Sequence, residues 1–461
     1  MSDNHISTNS GRETEKQNKP TVIFSAGGKG TRIRSLNSAV PKPMIPIAGK
    51  PILQWGIENL AGQGYKDFII TVSHLADAVI DYFGDGSKFN CSITYYHEAE
   101  PLGNAGALFK MMQEGRLEGS FFYFIADAVF DIDADRFWNF HCGRNALATL
   151  FVHPNSHPYD SGLVISDGNG VVTGWLNKED GRSGYYKNQV NAGLQILSTR
   201  LLEASGIDPV TVDSGHRVDL DRDVLKPLIP TRRIFAYKSS EYCKDAGTPE
   251  RFCTVEEDIR SGRVKAKSLH NLQKAIFLDR DGTINRYVGF LRDIGQFELL
   301  PGVTEAIKRI NDSGYLCIVV TNQPVVARGE VTEAGLRLIH NKMETLLGRD
   351  GAYVDAIYYC PHHPDKGFEG EVPELKFDCE CRKPKPGMLL QAARDYNIDL
   401  SRSWMVGDGW RDMESGKAAG CKTVLIVGNG SETMERMDYG QDKTAESLFE
   451  AVEMIGKREW Y

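Results

Sequence analysis

Acidic residues and a threonine stand at the ends of apolar segments in the second half of the chain, and a lysine stands in a proline-rich segment between them. Asp279 and Asp281 end "KAIFLDRD", Thr321 follows "YLCIVV", and Asp408 ends "SWMVGD". Asp-Gly is also common in ordinary turns, but two acids two positions apart can face one cleft where a strand relaxes into a loop. Lys383, in "CRKPKPG", can neutralise a phosphate, and a carboxylate attacks phosphorus only when that charge is neutralised. These residue types predict phosphoryl chemistry.

The order of these groups, an acid pair, a hydroxyl, a lysine and a further acid, resembles the haloacid dehalogenase superfamily over about residues 274–430. The resemblance implies that Asp279 is the nucleophile, which forms an aspartyl-phosphate. It implies that Asp281 protonates the leaving alcohol and then activates water. It also implies a Mg²⁺ ion held by Asp279, Asp408 and the backbone carbonyl of Asp281.

Further residues of this set bind the substrate or support those that do. By the same resemblance, Thr321 and Lys383 bind the phosphoryl oxygens, and Asp412 orients Lys383 instead of binding metal. We expect Arg382, directly before Lys383, to be a second catalytic cation, and Asn322, directly after Thr321, to bind the substrate.

Within the superfamily, "FLDRDGTIN", the Cys/His loop and "CRKPKPG" resemble a narrower group. That group contains histidinol-phosphate phosphatase and D-glycero-D-manno-heptose 1,7-bisphosphate 7-phosphatase. The segment "TNQPVVARG" departs from the heptose enzyme's pattern, because Pro324 replaces a small polar residue and Val325 replaces a glycine. The chemistry is unaffected, but the substrate's details stay open.

A loop rich in soft ligands precedes the two cations. "CPHHPDKGFEGEVPELKFDCECRKPKPG" offers three cysteines and two histidines, of which Cys360, Cys379 and Cys381 can supply thiolates. With one imidazole they form a closed Cys₃His set, which is typical of structural Zn²⁺. His362 and His363 are both candidates for the imidazole, and the resemblance favours His362. Such an ion would fix Arg382 and Lys383 in place.

The first half of the chain begins with a glycine-rich loop. "TVIFSAGGKGTR" places Gly27, Gly28 and Gly30 after an apolar strand, where backbone N–H groups can bind phosphate. The spacing matches neither a Walker A loop nor a dinucleotide fingerprint. In "VPKPMIPIAGKPIL", Lys42 stands between two prolines, which hold a cation suited to phosphate.

Together these segments resemble the signature of sugar-1-phosphate nucleotidyltransferases. Four more segments match that family in order, over about residues 20–255: "EPLGNAGAL", "FIADAVF", "NAGLQIL" and "KDAGTPERF". Such enzymes join a sugar phosphate oxygen to the α-phosphorus of a nucleoside triphosphate and release pyrophosphate. Because negative charge accumulates on the phosphates, catalysis depends on positioning and electrostatic stabilisation.

The resemblance assigns a role to each matching residue. Asp127 and Asp245 would hold Mg²⁺. Arg32 and Lys42 would contact the triphosphate. Substrate contacts would come from the glycine loop and from three further residues: Gly103 beside the base, Asn191 at the sugar and Lys178 at the sugar phosphate. Lys178 lies in a weaker local match, and Ala126 replaces the glycine that usually precedes the metal aspartate.

Composition excludes several classes of protein. The net charge of −8 does not favour nucleic-acid binding, and no apolar run is long enough for a bilayer. The cysteines outside the loop are scattered singly, which is typical of reduced thiols. The polar N-terminus lacks an apolar leader segment. These features predict a cytoplasmic protein with neither membrane nor nucleic-acid partners, and they leave a homo-oligomer open. The two family resemblances imply small-molecule substrates, a sugar phosphate and a nucleoside triphosphate.

Apolar strands alternate with helical patterns in both halves, which predicts α/β domains with parallel sheets. The fold class expected is α/β with two doubly wound domains. The first is a Rossmann-like nucleotidyltransferase domain of GT-A-like type, and the second is a HAD-like Rossmannoid domain. The predicted boundaries are a disordered tail over 1–19, the first domain over 20–255, a linker over 256–273 and the second domain over 274–461.

The fusion predicts an order of two reactions. Removing the 7-phosphate of a heptose 1,7-bisphosphate leaves the sugar 1-phosphate that a nucleotidyltransferase consumes, whereas histidinol phosphate leaves no such acceptor. The product would be an NDP-heptose for surface polysaccharide, such as lipopolysaccharide, and the resemblance to mannose-1-phosphate guanylyltransferases favours GTP. Alternatives are a mannose-1-phosphate enzyme fused to another phosphatase, a sugar-nucleotide-binding regulator, or a nucleic-acid end-processing enzyme.

Overall fold

The computed structural model describes residues 19–27, 40–73, 75–98, 100, 102–182, 184–208, 212, 217–428 and 437–459. The predicted tail lies outside the described residues except for Lys19. Gly28, Gly30 and Arg32 also lie outside them, so the glycine loop is described only up to Gly27.

The first half of the chain contains thirteen described strands. They are β1 (Val22–Ser25), β2 (Pro46–Ile47), β3 (Lys50–Pro51), β4 (Asp67–Val72), β5 (Ser92–His97), β6 (Ser120–Ile125), β7 (Ala128–Asp131), β8 (Ala148–His153), β9 (Leu163–Ser166), β10 (Val172–Leu176), β11 (Val190–Ser198), β12 (Ile234–Lys238) and β13 (Tyr242–Asp245).

The helices of the first half are mostly short. They are α1 (Ile52–Gly62), α2 (Ala76–Phe83), α3 (Gly106–Gln113), α4 (Ala134–Cys142), α5 (Leu201–Ser205), α6 (Lys226–Leu228), α7 (Pro249–Arg260) and α8 (Arg263–Ala266). A π-helical segment, Leu220–Leu225, leads into α6. Helices α7 and α8 fill much of the predicted linker, and the domain boundaries stay a prediction.

Most of these strands form one mixed sheet, with β10, β9, β11, β6, β1, β4 and β5 as neighbours in that order. Strands β5, β4, β1 and β6 are parallel, as the alternation of strands and helices predicts. Strand β11 is antiparallel to β6 and also pairs with β8, which extends the sheet beyond its parallel part. A separate antiparallel pair joins β7 to β13.

The second half has six strands and five helices among its described residues. The strands are β14 (Lys274–Leu278), β15 (Tyr315–Asn322), β16 (Ala356–Cys360), β17 (Trp404–Gly407), β18 (Lys422–Ile426) and β19 (Lys443–Ala445). The helices are α9 (Val303–Asp312), α10 (Glu333–Arg349), α11 (Gly387–Tyr396), α12 (Trp410–Ala419) and α13 (Leu448–Glu459).

The six strands form a parallel sheet in the order β16, β15, β14, β17, β18, β19. Apolar residues cover both faces: Ile276 and Val319 pack in one core cluster, and Phe277 and Ile318 pack in another. A sheet buried on both faces explains why β15, "YLCIVVTN", is apolar without alternation. The expected fold class is confirmed, since both halves are α/β with Rossmann-like sheets.

The two halves touch at the edge where the strands of the second sheet begin. Helix α9 ends at Asp312 just before β15, and helix α10 ends at Arg349 before β16. The contacts join Arg263 to the carbonyl of Asp312, Lys267 to the hydroxyl of Tyr353, Arg136 to the carbonyl of Arg394, and Tyr186 to Thr345. Among the described residues, no helix is both long and apolar enough to cross a membrane.

Candidate active sites and metal sites

Three acids and a threonine converge where the strands of the second sheet end. Asp279 follows β14, Thr321 lies near the end of β15, and Asp408 follows β17. Because β15, β14 and β17 are neighbours, their carboxyl ends bring these side chains together. Carboxylate oxygens of Asp279, Asp408 and Asp412 lie within 4.8 Å of one another. Such hard ligands fit Mg²⁺.

A buried lysine holds this acidic cluster together. The Lys383 side chain is 2% exposed, and its Nζ lies 2.9 Å from Asp279 and 2.5 Å from Asp412. Asn322 fixes the lysine's backbone, since its side chain donates to the Lys383 carbonyl and accepts from the Lys383 N–H, each at 3.0 Å. Burial and the nearby Asp412 raise the pKa of Asp279 to about 7, and Lys383 opposes that shift.

The Asp281 carboxylate is oriented by residues that sequence reasoning missed. It accepts hydrogen bonds from Arg280 at 2.8 Å, from Gln323 at 2.9 Å and from Asn285 at 2.9 Å. Gln323 also donates to the Thr321 hydroxyl at 2.9 Å. Arg280 is fully buried. In the sequence, its position between two acids in "DRD" is the only indication that it orients Asp281.

The turn after the acid pair requires glycine. Gly282 has φ +83°, and a Cβ built there would lie 1.9 Å from the Asp408 carboxylate. Any side chain would therefore push Asp408 away from Asp279.

The cysteine loop gathers its four predicted ligands. Cys379 Sγ lies 3.5 Å from Cys360 Sγ and 3.3 Å from Cys381 Sγ. His362 Nδ1 lies 3.3 Å from Cys381 Sγ and 3.6 Å from Cys360 Sγ. Tetrahedral zinc with normal bond lengths would separate its ligands by about 3.5 to 3.8 Å, so this set fits the ion.

The neighbours of this cluster distinguish the two histidines. His363 lies outside the cluster, and its Nδ1 accepts from the Asp365 N–H at 3.2 Å. Arg382, directly after Cys381, donates to the His362 carbonyl at 3.2 Å. The loop thereby connects the four ligands to the segment that carries Lys383.

In the first half, the two predicted metal aspartates lie on paired strands. Asp127 directly precedes β7, and Asp245 ends β13, where it pairs with Ala128. Lys42, in a 3-10 turn that follows a proline, forms an ion pair with Asp127. Arg251 Nη1 lies 2.9 Å from the Asp245 carboxylate, so each acid has a cation beside it.

These groups line a cavity of about 1270 Å³. Six of the predicted residues lie in its wall: Gly27, Lys42, Gly103, Asp127, Asn191 and Asp245. Gly103 has φ +86°, and a Cβ there would lie 2.4 Å from the Val218 carbonyl oxygen, so the backbone passes closely. The structure does not bring Lys178 to this wall. Its side chain is 54% exposed, and its Nζ lies 3.8 Å from Glu179.

Two acids of the cavity wall, Glu98 and Asp221, were not identified from the sequence. Burial raises the pKa of Glu98, whose carboxylate oxygens lie 3.2 Å from where a Cβ of Gly27 would stand. Asp221, in the π-helical segment, accepts from Asn191 at 3.4 Å and from Gln195 at 3.5 Å. Burial raises the pKa of Asp221 to about 6. Neither acid stands in a motif that one sequence reveals.

Two family models match the chain. The nucleotidyl transferase model matches residues 21–262, and the HAD-hydrolase-like model matches residues 380–451. Among curated proteins, the chain is 40% identical over 184 residues to the "D-glycero-beta-D-manno-heptose-1,7-bisphosphate 7-phosphatase" of Yersinia pestis. It is 41% identical over 186 residues to the protein of the same name from Escherichia coli K12. These matches cover 40% of this chain and 96% and 95% of those proteins.

Solved structures are similar to each half. HddC from Yersinia pseudotuberculosis complexed with GMP-PN is 26% identical, with a TM-score of 0.43, and the match covers 52% of this chain and all of that one. D,D-heptose 1.7-bisphosphate phosphatase from B. bronchiseptica, complexed with magnesium and phosphate, is 36% identical, with a TM-score of 0.35. That match covers 40% of this chain and 99% of the other.

The two matched regions lie in one polypeptide. Each region contains its own sheet and a set of residues suited to its chemistry. The chain belongs to the nucleotidyl transferase family and, through a second segment, to the family of HAD-like heptose-bisphosphate phosphatases, and it is an enzyme that combines a nucleotidyltransferase with a phosphatase.

Proposed function

We propose that the enzyme performs two consecutive steps in the synthesis of a nucleotide-activated heptose. The C-terminal half removes the 7-phosphate of D-glycero-D-manno-heptose 1,7-bisphosphate. The N-terminal half then transfers a nucleoside monophosphate, GMP, from the triphosphate to the remaining sugar 1-phosphate and releases pyrophosphate.

One observation carries this proposal. Phosphatases that are named for that bisphosphate match the chain along 95–96% of their own length, and the same chain contains a nucleotidyl transferase domain. The first reaction makes an anomeric phosphate available as the acceptor of the second. The choice of GMP rests on the resemblance of the first half to mannose-1-phosphate guanylyltransferases.

In the phosphatase step, Asp279 attacks phosphorus, the bond to the sugar oxygen breaks, and Asp281 gives that oxygen a proton. Water then attacks the aspartyl-phosphate, Asp281 takes its proton, and phosphate leaves. Lys383 and Thr321 hold the phosphoryl oxygens, and Asn322 holds the Lys383 backbone in register. Asp412 positions the ammonium group of the lysine through an ion pair.

In the transfer step, a sugar phosphate oxygen attacks the α-phosphorus and pyrophosphate leaves. Lys42 is placed to meet the triphosphate, and Asn191 is placed to meet the sugar, because both line the same cavity. Arg32 and the glycine loop complete the triphosphate site in this proposal, and they lie outside the described residues apart from Gly27. Lys178 keeps its proposed contact with the sugar phosphate only if its segment moves towards the cavity.

The ligand atoms at each site indicate which metal ion, Mg²⁺ or Zn²⁺, it would hold. Asp279, Asp408 and the Asp281 carbonyl would hold Mg²⁺ in one half, and Asp127 and Asp245 would hold it in the other. Bound there, Mg²⁺ neutralises phosphate charge. Zinc would occupy the Cys₃His set and leave no open position for catalysis. None of the nine cysteines forms a disulfide bond, which supports a location in the reducing cytoplasm.

The test uses the purified chain, Mg²⁺, each anomer of the bisphosphate and each of the four nucleoside triphosphates. We expect phosphate release from the bisphosphate, followed by pyrophosphate release with GTP. Mannose 1-phosphate and histidinol phosphate serve as competing substrates. No phosphate from either anomer would overturn the heptose assignment, and pyrophosphate release with another triphosphate would overturn the choice of GTP.

A further inference from the structure

A helix of the phosphatase half packs directly against a wall of the nucleotidyltransferase cavity. The wall consists of residues 153–162, most of which line the cavity. Gly348, in the last turn of α10, lies against it so closely that a Cβ built there would be 2.6 Å from Pro158 Cγ. Two residues beyond the helix, at Gly351, the Ser156 carbonyl oxygen is 3.6 Å from the equivalent position.

A second contact fixes the segment that leads to Asn191. The hydroxyl of Thr345, which is 1% exposed, accepts from the Tyr186 N–H at 2.8 Å and donates to the Tyr186 carbonyl at 3.0 Å. Both backbone groups of Tyr186 thus depend on one side chain of the other half. Asn188, two residues on, bonds the N–H and the carbonyl of Asn155 in the wall.

The wall is in turn connected to the candidate metal site. Pro158 and Asp160 belong to one 3-10 turn. Arg251 reaches from Asp160, at 3.4 Å, to Asp245, at 2.9 Å. The carbonyl of Gly162 accepts from the Asn191 N–H at 3.2 Å. A chain of contacts therefore runs from α10 through the wall to a metal aspartate and to the predicted sugar contact.

We infer that α10 of the phosphatase half is a positioning element of the nucleotidyltransferase site, and that Thr345 and Gly348 hold the 153–162 wall where the sugar 1-phosphate binds. Neither residue touches substrate. The remaining predicted triphosphate contacts in the described chain, Gly27 and Lys42, lie outside the segments that α10 contacts. The phosphatase acids lie at the opposite edge of their sheet from the last turn of α10.

The test uses the full chain with Thr345→Val, which keeps the shape of the side chain but removes its hydroxyl. We expect the KM for the sugar 1-phosphate to rise about fivefold, the equivalent of one net hydrogen bond, with the KM for the triphosphate and the phosphatase rate unchanged. Thr345→Ser retains the hydroxyl and should restore the KM. A merely structural defect would lower the rates of both reactions together and leave the KM for the sugar 1-phosphate unchanged, and that result would overturn the inference.

Gly348→Ala is the second variant, because alanine favours the helix while its methyl group displaces Pro158. The matched control is Gly62→Ala in α1, where a Cβ would meet nothing within 4 Å. We expect a raised KM for the sugar 1-phosphate only in Gly348→Ala. Wild-type KM values in both Thr345→Val and Gly348→Ala would overturn the inference.

This inference rests on the proposed nucleotidyl transfer. If the wild-type chain released no pyrophosphate with any sugar 1-phosphate, the proposed function itself would fail. If the wild type were active and the α10 variants kept its KM for the sugar 1-phosphate, only the positioning role would be refuted.

Discussion

The two candidate active sites differ in how far they are assembled before substrate arrives. In the phosphatase half, Lys383 is 2% exposed and already bridges Asp279 and Asp412. In the nucleotidyltransferase half, Lys42 is 13% exposed, and the side chains of Asp127 and Asp245 are 30% and 36% exposed. There each acid is paired with a cation that phosphate would otherwise attract. The phosphatase site is therefore preorganised, whereas the nucleotidyltransferase site must exchange its ion pairs for substrate.

The two sites also differ in which parts of the chain supply their residues. Three adjacent strands of one sheet position Asp279, Thr321 and Asp408 of the phosphatase site. The nucleotidyltransferase cavity is lined by both halves of the chain, including Asn311 and Tyr353 of the second half. These contacts occur where the second sheet's strands begin, and the phosphatase acids stand where they end. Strand β15 alone, with eight residues, separates those edges by roughly 26 Å.

The largest effect is expected from Asp279→Asn. The variant lacks the nucleophile, so phosphate release should fall by more than about 10⁴-fold. Nucleotidyl transfer from a ready-made sugar 1-phosphate should be unchanged, because the two sites share no catalytic group. Measuring phosphate and pyrophosphate separately checks this, and a parallel loss of both would refute the model of two independent sites.

The reciprocal change is Asp245→Asn. It removes a predicted metal ligand and the partner of Arg251, so nucleotidyl transfer should fall by about 10²- to 10³-fold. The phosphatase rate in the same sample is the control for folding. Nucleotidyl transfer at the wild-type rate would exclude Asp245 from the metal site.

Removing the proposed zinc ion should act on the preorganised site alone. Cys381→Ser, or a strong chelator, should loosen the segment that carries Arg382 and Lys383 and lower phosphate release by about 10- to 100-fold. Nucleotidyl transfer should persist. Elemental analysis should find one zinc per wild-type chain and a loss in the variant, and a fully active zinc-free wild type would contradict the structural role.

The nucleotidyltransferase cavity and the phosphatase acids lie at opposite edges of the second sheet. We therefore predict that heptose 1-phosphate passes through solvent between the two reactions. In a coupled reaction with labelled bisphosphate, an excess of unlabelled heptose 1-phosphate should dilute the label in the nucleotide sugar completely. Retention of label above the diluted value would reveal direct transfer between the sites. The same assay with a mixture of Asp279→Asn and Asp245→Asn chains provides the reference for free diffusion.

The smallest effect is expected from Lys178→Ala. An exposed lysine outside the cavity wall should change nucleotidyl transfer by less than about twofold. Lys42→Ala is the matched comparison, since Lys42 lines the cavity and should matter far more. A large rise in the KM for the sugar 1-phosphate in Lys178→Ala would restore the role that the resemblance assigns to it.

The α/β class, both families and the two activities could be predicted from the residues alone. Strand-end acids such as Asp279 and Asp408 were predictable because the carboxyl ends of parallel strands meet at one edge, and residue order reveals those ends. The Cys₃His set was predictable because its ligands lie within 22 residues, so local spacing brings them together.

The distant groups that support these residues become visible only in the folded chain. Arg280, Gln323 and Asp221 gain their roles from burial and from partners that spacing does not reveal. Thr345 contacts Tyr186 across 159 positions of sequence, and Lys178 lies outside the cavity wall despite its motif. Periodicity and motifs report on neighbours along the chain, whereas these contacts depend on how the two sheets pack against each other.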